Sequence, residues 1–145
     1  MEDIWDKLRY RPGFGAVKAW DFKKYTPDIV IVAVGQNDSY PRDFMGEEPC
    51  GEMAALWKRR YGEFVEKLCG KYPEAAVILM TTVMEHHRNW DTAIGEVCER
   101  LASERVKHFV FRENGQKTPG HIRASEAEEM AGELTGYIKD ILTWQ

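Results

Sequence analysis

Four kinds of side chain in this sequence could carry proton or acyl chemistry. Gly35-Gln36-Asn37-Asp38 follows directly on the run Ile29-Val30-Ile31-Val32-Ala33-Val34, so an amide and a carboxylate stand where an apolar stretch stops. An amide N–H can donate to a developing negative charge. Asn and Asp after a strand are also ordinary turn residues, so the tetrapeptide alone is ambiguous. Thr118-Pro119-Gly120-His121 places one histidine just ahead of a long amphipathic stretch. Imidazole titrates near neutral pH and can take and return a proton. Met84-Glu85-His86-His87 sets two more imidazoles side by side in a polar stretch. The hydroxyl and thiol nucleophiles are sparse: Ser39, Ser103 and Ser125, with Cys50, Cys69 and Cys98.

Spacing narrows these options. Adjacent histidines on a loop seldom face one ion, and no HExxH or CxxC pattern accompanies them, so a metal site is not expected. Ser39 lies outside any GxSxG elbow and too close to Asn37 in sequence to serve as a partnered nucleophile. Glu85, His86, His87 and Trp90 are expected at the rim of a substrate pocket, although for Trp90 a helix-core place is favoured over an aromatic wall.

The elements that must position these residues follow from periodicity. A β-branched run such as Ile29–Val34 fits a strand covered on both faces, the pattern of a parallel sheet. Residues 35–51 read as a long loop, and Met53, Leu56, Trp57, Tyr61, Phe64 and Leu68 mark a helix over 52–68, ended by Gly70. Ala76–Met80 is a second strand, and residues 81–89 are loop. Trp90, Ile94, Val97, Cys98 and Leu101 share one face of a helix over 90–103. Residues 106–111 form a third strand, 112–123 a loop, and a capping box from Ser125 to Glu128 opens the last helix. Residues 1–26, with Trp5, Tyr10, Phe14, Trp20, Phe22 and Tyr25, show no clean period and read as an irregular segment packed on the sheet.

The order β-α-β-α-β-α implies an α/β fold, a three-layer α/β/α sandwich with a parallel sheet and right-handed crossovers. All three long polar loops leave strands, whereas the two loops entering strands are short. The long loops therefore share the carboxyl edge, where open α/β sheets bind ligands. A site built from Asn37, the His86/His87 loop and the His121 loop is the expectation.

Composition bounds the rest. A chain of 145 residues fits one domain. A net charge of -4 without a Lys/Arg cluster gives no footprint for nucleic acid. No apolar run approaches the ~18 residues of a membrane span. Met1-Glu2-Asp3-Ile4-Trp5 lacks the apolar core of a signal peptide, and three widely spaced cysteines fit reduced thiols. The expectation is a cytoplasmic protein.

These residues resemble the SGNH (GDSL-like) hydrolases, most closely the branch containing carbohydrate esterase family two. Gly35-Gln36-Asn37-Asp38 after a strand is similar to the family's Gly-x-Asn-Asp block, entered here through Trp20-Asp21-Phe22 and Tyr25-Thr26-Pro27-Asp28. Thr118-Pro119-Gly120-His121 is similar to its histidine block before the C-terminal helix. The resemblance covers about residues 20–142. It implies an ester hydrolase, with Asn37 as oxyanion donor, His121 as general base, and Gly35, Asp38, Thr118 and Gly120 in support. Asp38 is expected to orient its loop by accepting backbone hydrogen bonds.

Two departures accompany the resemblance. The Gly-Asp-Ser nucleophile block is absent, and the glycine of the second block has no secure counterpart. Thr118 stands where many members have aspartate, a loss the carbohydrate esterase branch tolerates by using a backbone carbonyl to orient the imidazole. The resemblance therefore implies a single partial domain over residues 1–145, corresponding to the family's C-terminal portion, with the serine outside this chain. A missing β/α unit would leave apolar sheet exposed, so a second copy or an N-terminal partner segment is expected to cover it. The alternative is a pocket-bearing binding module without catalysis. Neither reading requires a cofactor.

Overall fold

The computed structural model describes residues 4–8, 18–113 and 115–142. Three parallel strands, β1 (Ile29–Ala33), β2 (Ala76–Met80) and β3 (Val106–His108), lie in the order β1-β2-β3. Register pairs Ile31 with Ile78 and Ile78 with Lys107. Around them run a single turn α1 (Phe44–Glu47) and three long helices, α2 (Glu52–Lys71), α3 (Asn89–Leu101) and α4 (Ala124–Leu142).

The alternation of side chains along β2 divides the core in two. Val77 and Leu79 point to one face and pack with Tyr61, Val65 and Leu68 of α2 and with Ile94 and Val97 of α3. Ile78 and Met80 point to the other face and pack with Phe109, Phe111 and Met130, beside Leu134 and Tyr137 of α4. Every residue of β2 is buried, the reason it reads as an unbroken apolar run. β1 is covered less evenly. Val32 is buried beneath α2 and α3, but Ile31, on the opposite face, is 44% exposed, and Ala33 is exposed too. Helix α4 covers the β2–β3 part of that face and leaves this part of β1 bare.

Several boundaries differ from those expected. Residues 35–51 hold a 3-10 turn (Gln36–Ser39) and α1, both too short to leave a periodic signature. Gly70 lies inside α2, which runs to Lys71 and closes with Tyr72 N–H donating to the Leu68 carbonyl. Met53 falls off the buried stripe and is exposed. α3 stops at Leu101 because Ala102 turns left-handed, at φ 47°. β3 is half the expected length; Phe109 and Phe111 are buried against α4 rather than extending it. The Ser125 capping box does not form as expected. α4 already begins at Ala124, and Ala127 N–H bonds the Arg123 carbonyl, so Ser125 sits within the first turn. In the N-terminal segment, Lys7 bridges Ala19, and Trp5 packs on Phe22 and Phe64 at 5.4 Å from each. Tyr10 and Phe14 lie outside the described residues. Among the described residues no helix is long and apolar enough to cross a membrane.

Candidate functional site

The loop after β1 is shaped by what lies under it. Gly35 is buried with φ at +116°, a conformation that side chains rarely adopt, and a Cβ there would meet the Trp90 ring at 3.0 Å. A close floor and a positive φ thus both call for glycine. Trp90 belongs to an aromatic cluster: it meets Trp57 edge-on at 5.1 Å and Phe44 at 5.3 Å, while Trp57 stacks on Tyr61 at 4.8 Å. Both indoles spend their N–H groups on carboxylates. Trp90 Nε1 donates to Asp43 Oδ1 at 2.9 Å, and Trp57 Nε1 donates to Asp38 Oδ2 at 3.1 Å. Asp38 therefore orients its loop through an indole on α2, not through the backbone donors expected of it.

Asn37 stands on this platform, exposed at the edge of a cleft of about 550 Å³. Among the described residues its side-chain amide makes no hydrogen bond, so both N–H groups remain available. Tyr40, Phe44, Trp57 and Tyr61 give the cleft aromatic walls, and Arg60 adds a cation. Two lining residues also hold buried hydroxyls, Tyr61 Oη and Thr82 Oγ1, neither with a partner among the described residues. Burial pushes the Tyr61 hydroxyl well above the usual phenol range, so it serves as a neutral hydroxyl.

His121 leaves the carboxyl edge two strands away, beyond β3. Two strand spacings amount to about 10 Å. It is exposed, and its imidazole makes no hydrogen bond among the described residues; the orienting carbonyl implied by the resemblance is not engaged there. Gly120 beside it has φ +77° and open space around it, and Thr118 is half-buried. The loop is tied down upstream and downstream. Gly115, buried with φ +66°, lies against the backbone of 83–85, and Lys117 N–H donates to Glu126 Oε1 at 3.0 Å.

The loop between β2 and α3 departs most from expectation. Trp90 does not rim a pocket; it is fully buried at 0% exposure, because its ring supports Gly35. His86 is not a rim residue either. Its side chain is 1% exposed, with Nδ1 at 2.7 Å from the Met84 carbonyl and Nε2 at 3.1 Å from both Asp91 carboxylate oxygens. Thr81 Oγ1 lies 2.9 Å from Nε2 and donates to Asp91 Oδ1 at 2.8 Å. Both ring nitrogens face acceptors, which assigns protons to both. Burial alone would lower the His86 pKa, but the hydrogen bonds to Asp91 and Met84 and the charges of Asp91 and Asp43 outweigh it, and the pKa is raised. A ring with both nitrogens donating has no lone pair for a metal. Glu85 and His87 are exposed, and His87 Nδ1 accepts from Asn89 N–H at 3.2 Å, but neither lines the cleft. Thr82 is the residue of that loop that does.

Sequence reasoning missed Thr82, the Thr81–His86–Asp91 network and the cleft wall from α2. Only the wall had a signal: Trp57 and Tyr61 are four residues apart on one helix face, a spacing shared by core residues and cleft walls.

No family model matches the chain. Over 134 residues it is 27% identical to an acetylxylan esterase/glucomannan deacetylase of Cellvibrio japonicus, covering 90% of this chain and 35% of that enzyme. It is 25% identical to the cellulase/esterase CelE of Acetivibrio thermocellus, covering 97% of this chain and 17% of that protein. The solved structure of a family two carbohydrate esterase from Cellvibrio japonicus superposes with a TM-score of 0.78 at 24% identity, over 99% of this chain and 41% of that one. The chain thus spans about a third or less of the length of these two sequence relatives. Its α/β fold is that of a partial carbohydrate esterase domain.

Proposed function

From its kinship with family two carbohydrate esterases, we propose that this chain is the Asn- and His-bearing part of a hydrolase acting on acylated carbohydrate, with acetyl esters as the substrate class. The serine would come from a segment outside this sequence. In this reading, serine Oγ bonds to the ester carbonyl carbon while His121 takes the hydroxyl proton. The carbonyl electron pair moves onto oxygen, where the Asn37 amide donates to it. Collapse breaks the bond to the sugar oxygen, which receives the proton from His121. Water, activated by the same imidazole, then releases acetate and restores the serine. The aromatic walls suit the apolar faces of sugar rings, and Arg60 lies beside them.

The observation that carries this reading is the unspent Asn37 amide at the cleft edge, on the same sheet edge as His121 and within a chain related to esterases along 90% of its length. The bare Ile31 and Ala33 face of β1 is the natural seat of the serine-bearing segment. A second reading, a binding module that uses the cleft without catalysis, draws support from the lack of a Gly-Asp-Ser block.

The experiment is hydrolysis of p-nitrophenyl acetate by the chain alone and by the chain mixed with a fragment translated from the coding sequence upstream of Met1. Turnover that appears only in the mixture and vanishes in His121→Ala supports the hydrolase. An upstream sequence with no Gly-Asp-Ser in any frame overturns it and leaves the binding module. Turnover by the chain alone contradicts the assignment of the nucleophile to another segment.

A further inference from the structure

The buried histidine of the β2–α3 loop has no part in the chemistry above, yet its two ring nitrogens lie within hydrogen-bond reach of Met84, Thr81 and Asp91. We propose that His86 is a positioning residue for the loop that carries His121, acting through the peptide unit of Met84 and the close seat of Gly115. This rests on the reading of His121 as the base.

The connection is short and runs through named atoms. His86 Nε2–H reaches Asp91 at 3.1 Å, and Asp91 lies in the first turn of α3. The Thr81 hydroxyl, one residue past β2, donates to the same carboxylate at 2.8 Å. His86 Nδ1–H reaches back to the Met84 carbonyl at 2.7 Å. The ring thus fastens the middle of its loop to the end of a buried strand and to the first turn of α3. Gly115 packs against that same peptide unit. A Cβ built there would lie 2.9 Å from Met84 C, 2.9 Å from Glu85 N and 2.3 Å from Val83 O. A side chain has no room there, so the Gly115 backbone lies directly against the 83–85 backbone and a shift of one loop presses on the other. Six residues on from Gly115 stands His121.

The charged groups facing His86 are Asp91 of α3 and Asp43 ahead of α1; His108 of β3 senses Asp91 as well. Both carboxylates favour the imidazolium. Deprotonating Nδ1 or Nε2 would turn a donor into a lone pair facing an acceptor, and the fastening would open. Positioning therefore requires His86 protonated, whereas proton transfer requires His121 neutral.

The test is nitrogen-15 and proton NMR of the full chain, with the four histidines assigned from single His→Gln variants. As pH rises through the His86 titration, the Gly115 amide and the His121 Cε1 proton are expected to shift in the same step. Gly115 amide exchange, corrected for intrinsic base catalysis, is expected to quicken about tenfold. His86→Gln should show that loosening at every pH, whereas His87→Gln, one exposed residue further on, should not. Gly115 and His121 signals that ignore the His86 step overturn the proposal, as does an equal effect of His87→Gln. If His86→Gln does not fold, the titration of the unmodified chain decides alone. None of these readouts needs turnover. Loss of the base role through an active His121→Ala mixture would leave the loop coupling standing, and the two failures are separable.

Discussion

Asn37 and His121 leave the same edge of one sheet, but the two loops are held by different forces. The Asn37 loop rests on Trp90, Trp57, Tyr61 and Phe44, with indole N–H groups bonded to Asp38 and Asp43. Its support is mostly packed apolar surface, which does not titrate. The His121 loop rests on a backbone contact at Gly115 and on charged pairs. The Lys117 ammonium pairs with Glu129 and its backbone N–H donates to Glu126, Arg112 lies 3.4 Å from Glu133, and behind Gly115 stands the His86–Asp91 pair. Exposed pairs of this kind contribute little individually, so the buried one dominates. Asn37 is thus mounted on an aromatic floor, and His121 on a platform whose strength depends on protonation.

Breaking each side separately tests the contrast. The largest expected effect is on the aromatic floor. Trp90→Ala should cost about 4 kcal/mol in urea unfolding, as a large ring is removed from a fully buried site, and the loss should not vary with pH between 6 and 8. Asp91→Asn should cost about 3 kcal/mol, because it leaves the His86 imidazolium buried without its countercharge. That loss should depend on pH. His86 has a raised folded-state pKa, so its contribution is fully present below its ordinary value of 6.5 and disappears as pH rises through the raised one. Parent and Asp91→Asn unfolding curves should therefore converge on the alkaline side; a constant gap would contradict the imidazolium assignment.

Gly35→Ala comes next, at about 1–3 kcal/mol for a residue forced into a disfavoured φ, with the Trp90 ring displaced. A shift in tryptophan fluorescence accompanying the loss would place the strain at the floor. His108 gives the smallest effect, of opposite sign to His86. Burial lowers its pKa against the pull of Asp91 and Glu99, so its contribution is present above 6.5 and lost as pH falls. His108→Gln should flatten the acid limb of the stability profile and leave the alkaline limb unchanged.

Much of this architecture was legible in the sequence. The three- and four-residue steps of α2, α3 and α4 marked their buried stripes, but the run Ile29–Val34, expected to be covered on both faces, leaves Ile31 and Ala33 exposed. Long loops after strands and short ones before them placed Asn37 and His121 at one edge of the sheet, as the structure has them. What could not be read was context. Trp90 and His86 are residue types that occur equally in cores and rims, and only the positive φ of Gly35 or the position of Asp91 separates those roles. Elements as short as α1 have no period to detect. The Ser125–Glu128 signature was real as a pattern, but α4 had already begun at Ala124. Asn37 and His121 were singled out through block resemblance, since a lone asparagine after a strand and a lone loop histidine are individually uninformative.

The most direct measurement is kcat and KM for p-nitrophenyl acetate in the chain mixed with its serine-bearing fragment, comparing the parent with Asn37→Ala. Removing an oxyanion donor should lower kcat about 10²–10³-fold and leave KM unchanged, because the bond forms only as charge develops. An Asn37→Ala mixture that keeps the parent kcat would show that the amide at the cleft edge stabilises no oxyanion.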